Sequence, residues 1–139
     1  MQNPPIVRPA IGAIVALGLV GTAAELLLLE HYDSPWQLVP LILVAVAIPA
    51  LAWHGVSGTT ASRRALQVTM ALFVIAGILG VWLHYRGAAE FQLEMDASQH
   101  GPALWWKALR AKAPPVLAPG LMMQLGFLGL VFAYRRESQ

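Results

Sequence analysis

The residues with the most chemistry to offer fall into two groups. Glu30, His31 and Asp33 stand together after one apolar stretch, and His84, Glu90, Glu94, Asp96 and His100 follow another. Imidazoles and carboxylates together form a ligand set that suits zinc, copper or iron. One arrangement takes His31 and His84 as nitrogen ligands, with Glu30, Glu90 or Glu94 supplying oxygen. The opposing reading is that these are ordinary solvated residues at segment ends, because no ligand motif such as His-Glu-x-x-His on one helix is present. A divalent or copper ion fits this set better than haem b held by His31 and His84, since the neighbouring acids would repel the propionates.

A third candidate lies within an apolar stretch. Glu25 shares a helical stripe with Gly18, Gly21 and Thr22, and small residues let another helix approach closely. A carboxylate in hydrocarbon is costly unless protonated, paired or wetted, so Glu25 is expected to face other helices. It is either a proton-accepting or ligand-binding group or a structural hydrogen-bonding one, with Gln124 as its expected partner. Gln67 lies at the wrong depth to serve. Methionines such as Met70, Met122 and Met123 read as packing, since soft thioethers fill apolar gaps. No serine or threonine stands in a nucleophile-elbow or triad context, and no phosphate-cradling loop is present. The sequence therefore leans away from an enzyme.

The elements that position these residues follow from composition. The chain has 139 residues, 58% of them apolar and 12% charged, about half the charged share usual for a soluble domain. Its mean hydropathy is +0.61. A chain this small has no interior large enough to hide so much apolar surface. A lipid bilayer removes that difficulty. The net charge of +2 rests on scattered cations at segment ends, which reads as membrane topology and not as a nucleic-acid surface. There are no cysteines, so thiolate metal sites and cysteine catalysis are excluded.

Four apolar segments are expected to cross the bilayer as helices, at about 10–31, 35–54, 65–85 and 116–134. The first, opened by Pro9, reads as a retained span, since its apolar run is longer than a signal sequence needs. The second opens on Asp33-Ser34-Pro35, a capping residue followed by proline at the first helical position, and Pro49 is expected to kink it. Trp36, Trp53, Trp82, Tyr85, Trp105 and Trp106 are expected to anchor at the interfaces. Between the third and fourth spans, Phe91, Leu93 and Met95 alternate with Glu90, Gln92, Glu94 and Asp96, a period of two that suits an extended segment. A short amphipathic helix at about 102–112 is expected to lie in the headgroup plane, ended by Pro114-Pro115. The fold class is thus all-α, a single four-helix membrane bundle over residues 1–139.

Arg8, Arg63, Arg64, Arg135 and Arg136 fall on one side of such a bundle and Arg86, Lys107, Arg110 and Lys112 on the other. The doublets abut helix ends, which favours cytoplasmic N- and C-termini. His54 and Glu137 then share the inner side with the doublets.

The segments from Gly21 to His31 and from Leu83 to Phe91 resemble those of small uncharacterised bacterial inner-membrane proteins with four predicted spans. The resemblance covers most of the chain and implies a multi-pass inner-membrane setting, with no catalytic residues attached. The leading expectation is a non-enzymatic accessory or assembly subunit of a larger membrane complex, or of a homo-oligomer. The alternatives are a metal-handling protein using the His/carboxylate cluster and a proton-coupled transporter component centred on Glu25.

Overall fold

A computed structural model describes residues 6–112 and 115–134. Of the described residues 82% are helical, in five helices with no strand among them. These are α1 (Val7–Leu28), α2 (Pro35–Ser57), α3 (Thr60–Met95), α4 (Gly101–Leu109) and α5 (Gly120–Ala133). Ala113, Pro114, the arginine doublet Arg135-Arg136 and Glu137 lie outside the described residues.

Helix starts are written in local chemistry. Ser34 accepts from the Gln37 backbone N–H while the Gln37 side chain accepts from the Ser34 N–H, and Pro35 occupies the first turn. That reciprocal pair satisfies donors a helix start otherwise leaves bare. Thr59 caps α3 through the Ser62 N–H. Gly58, at φ 59°, takes the left-handed conformation that ends α2 and lets α3 begin almost at once.

The helices pack in a ring, in the order α1, α2, α3, α5 and back to α1, with α4 against α3. The shared core holds Val15 and Leu19 of α1, Val44 and Ala47 of α2, Leu66, Met70 and Phe73 of α3, and Met122 and Leu125 of α5. The α3–α5 seam is the most extensive, and glycines set it. A Cβ on Gly77 would stand 2.8 Å from the Met123 nitrogen. These two backbones nearly touch.

Three helices, α1 to α3, are long and apolar enough to cross a membrane. Of their most apolar stretches only 17%, 22% and 28% is buried inside the protein. Val20, Leu28, Ile42, Val46, Val68, Ile75, Phe127 and Val131 all face outward. A water-soluble monomer does not carry apolar surface on this scale, so the chain has the character of an integral membrane protein. With 14 residues, α5 rises about 21 Å, short of the ~30 Å hydrocarbon layer.

The stretch expected to be extended is helical instead. α3 continues without a break to Met95, 36 residues in all, or about 54 Å. Val81, Tyr85, Ala88, Ala89 and Gln92 form its packed stripe, a spacing of three and four that a strand cannot supply. Ala, Glu, Gln, Leu and Met between Gly87 and Met95 are good helix formers with no β-branched residue among them. Arg86 and Glu90 add an i,i+4 ion pair at 3.1 Å. The alternation of apolar and acidic residues is therefore a surface pattern on a helix. α4 is also less free than expected. Ala108 is fully buried against the α3 extension, with Ala88 and Val116, while Trp105 and Trp106 stay exposed, their rings 6.2 Å apart.

Candidate functional site

Polar side chains gather at both ends of the bundle. At the end where α1 finishes beside α3, Leu29, Glu30 and His31 terminate α1. The His31 N–H bonds the Leu26 carbonyl and the Glu30 N–H bonds that of Leu27, the paired closure of a Schellman motif. Glu30 holds the left-handed position at φ 52°, where glycine is the usual occupant. Glu30→Gly is therefore expected to raise stability by about 0.5–1 kcal/mol in equilibrium unfolding. A loss would mean that the carboxylate makes a contact of its own.

That turn delivers His31 to α3. The His31 and His84 rings lie 6.3 Å apart, tilted by 51°. His84 donates from Nδ1 to the Pro115 carbonyl at 3.0 Å, which in the neutral ring leaves the Nε2 lone pair free. An imidazole steered by a backbone carbonyl in this way is oriented as metal-ligating histidines are. Burial lowers the His31 pKa below its ordinary value, the neighbouring His84 lowers it further, and Asp33 opposes both.

The carboxylates expected around this pair do not assemble with it. Glu30 points outward in the turn, Glu90 pairs with Arg86, and Glu94 is exposed along the α3 extension. Among the described residues no three of His, Cys, Asp and Glu group closely enough to hold an ion. His100 bonds the Ser98 carbonyl instead. The intramembrane pair behaves differently from expectation as well. Glu25 and Gln124 are both exposed on the outside of the bundle, and no hydrogen bond joins them among the described residues. The stripe divides: Gly18 abuts Leu125 and Thr22 is buried, while Gly21 meets nothing within 4 Å. Gln67 instead donates to the Ala133 carbonyl at 3.4 Å. Trp36, Trp53, Trp82, Trp105 and Trp106 are all exposed, Tyr85 is half-buried, and Arg86 lies 5.0 Å over the Trp82 ring.

The better-built cluster lies at the opposite end, and no ligand motif in the sequence marks it. His54 is 4% exposed. Arg8 donates from Nη2 to its Nε2 at 3.3 Å, and its Nδ1 donates to Ser62 Oγ at 3.3 Å. Ser62 Oγ in turn donates to the Thr59 carbonyl at 2.9 Å. This sequence of donors requires neutral His54, protonated on Nδ1. Arg8 Nε also donates to the Phe132 carbonyl at 3.3 Å, and its guanidinium lies 5.5 Å from the Phe132 ring centre. One arginine thus ties the start of α1 to the ends of α2 and α5. The signal was present in sequence as depth: Arg8, His54 and Ser62 all belong to the same face of the bundle.

Beside this cluster, a groove of about 700 Å³ runs between α1 and α2. Its walls are mostly small or apolar, with Gly12, Ala13 and Ala16 on α1 and Ala52 and Gly55 on α2.

No known family matches. Neither a family model, nor a curated protein, nor a solved structure is detectably similar to the sequence. Among the described residues the geometry offers a two-histidine pair, a buried polar cluster, an apolar groove and a helical arm.

Proposed function

We propose that the chain is a non-enzymatic accessory subunit of a bacterial inner-membrane complex. It crosses the bilayer four times with both termini in the cytoplasm, α5 and the turns before it forming the last crossing. The supporting observation is the arm. From Tyr85 to Met95, α3 rises about 15 Å further, beyond the roughly 5–8 Å of headgroup layer on each face. Phe91 and Met95 stand one turn apart on one side of it, 55% and 72% exposed. Large apolar side chains held outside the hydrocarbon on a rigid helix are characteristic of surfaces that a partner covers.

Purification from native membranes in mild detergent is expected to recover a stoichiometric partner. Phe91→Glu with Met95→Glu is expected to release it while helicity and thermal unfolding stay unchanged. A chain that purifies alone, or a partner retained by the double variant, would remove this reading.

A second reading follows from the 6.3 Å approach of His31 to His84. Two imidazoles, one already steered by the Pro115 carbonyl, suit a copper or zinc ion whose remaining ligands come from water or a partner. Elemental analysis of purified wild type is expected to find this metal, and His31→Ala with His84→Ala to lose it. Equal metal in both overturns the reading. Without metal, the lowered His31 pKa has a definite sign. The folded state binds its proton less readily than the unfolded chain, so the His31 contribution is intact above the ordinary histidine range and is lost as pH falls through it. Thermal unfolding between pH 8 and 5 is expected to show that loss in wild type and less of it in His31→Gln.

A further inference from the structure

We propose that the groove between α1 and α2 seats an acyl chain of an anionic phospholipid, with the lipid phosphate held at Arg8. The α1 wall runs from Arg8 to Val20, which is about 18 Å of helix rise and close to one leaflet of a ~30 Å hydrocarbon layer. The groove therefore reaches from the interface to roughly the midplane, as an acyl chain does. Its α2 wall begins at Ile48, beside Pro49, where the helix lacks a backbone donor and its packing on α1 can open.

The polar end matches the chain end. Arg8 and His54 both line the mouth, and the rest of the lining is apolar or small. Arg8 bonds a neutral imidazole and a backbone carbonyl, and among the described residues no carboxylate forms an ion pair with it. Its guanidinium is thus oriented by neutral acceptors, which suits a charge-assisted hold on phosphate. Buried His54, tied to Ser62, keeps the guanidinium at the mouth. With the N-terminus cytoplasmic, this is the leaflet that carries negative surface potential.

The test is native mass spectrometry of the delipidated full-length protein, titrated with phosphatidylglycerol or phosphatidylcholine. Wild type is expected to retain one phosphatidylglycerol with about a fivefold preference. Arg8→Gln should bring the two lipids within twofold of each other, and Arg8→Lys should keep most of the preference. Ala16→Phe fills an exposed position in the groove and should weaken both lipids while leaving Arg8 in place. The proposal is overturned if wild type shows no preference, if Arg8→Gln keeps it, or if Ala16→Phe binds lipid as wild type does. A dimer that forms in wild type and is lost in Ala16→Phe would assign the groove to a second copy instead. Circular dichroism and thermal unfolding of each variant separate loss of the site from loss of the fold.

Discussion

Gly126→Leu is expected to destabilise the protein by about 3 kcal/mol or more, whereas Gly21→Leu, on a neighbouring helix at the outside of the bundle, is expected to cost nothing. The difference lies in what a side chain would meet. A Cβ on Gly126 would stand 2.7 Å from the Met70 carbonyl oxygen and 3.0 Å from the Val74 nitrogen, while one on Gly21 meets nothing within 4 Å. A flexible side chain can move aside, but the main chain of α3 cannot without carrying its helix with it. Gly77 reproduces the arrangement from the other side of the seam. In lipid, burying an apolar face against another helix gains little over burying it in acyl chains, so close packing carries the association. Separating α3 from α5 therefore removes the most extensive seam in the bundle. Equilibrium unfolding in mixed micelles of mild detergent and dodecyl sulfate measures both variants. Equal losses from the two substitutions would show that the seam is not held by backbone approach.

The seam also marks what could and could not be read from the chain. Apolar length, Ser34-Pro35 and the aromatic residues near segment ends are local signals, and local signals located three long apolar helices without knowledge of their neighbours. Which glycines meet another backbone is a property of two helices at once. Gly18 and Gly21 look alike in sequence, yet one abuts Leu125 and the other faces outward. Glu25 followed the same logic. An expected inward turn rested on the cost of charge in hydrocarbon, but its register on α1 carries it outward with Gly21. The α3 extension differs from expectation for another reason: helix propensity outweighs the period-two pattern over Phe91, Leu93 and Met95, and continuation of an already formed helix adds one bond per residue without a new nucleus. The matched depth of His31 and His84 is legible because the apolar stretches of the parallel α1 and α3 both finish near them, although α3 itself continues to Met95. The carboxylates did not join them, since helix α3 carries Glu90 and Glu94 away along its axis.

His54→Ala is expected to cost about 2–4 kcal/mol, with the loss divided among several partners. The ring is 4% exposed and packs edge-on to Phe132 at 5.6 Å, so truncation leaves a cavity at the meeting point of α1, α2, α3 and α5. It also leaves Arg8 without its imidazole acceptor and Ser62 without its imidazole donor. These parts can be separated by chemistry. An asparagine amide can stand in for Nδ1 and bond Ser62, and a glutamine carbonyl can reach for Arg8 in place of Nε2. His54→Asn and His54→Gln should therefore each recover part of the loss, through different partners. Ser62→Ala alone should cost about 1 kcal/mol, and a double-mutant cycle of Ser62→Ala with His54→Ala should return a coupling on the order of 1 kcal/mol. Additive losses would mean that the hydrogen bond contributes nothing and that His54 is held by packing alone. A coupling of the expected size would instead make His54 the residue that fixes where Arg8 points. The matched cycle between His54 and Arg8 then follows from the same neutral imidazole, because one ring nitrogen must be the donor to Ser62 for the other to accept from the guanidinium.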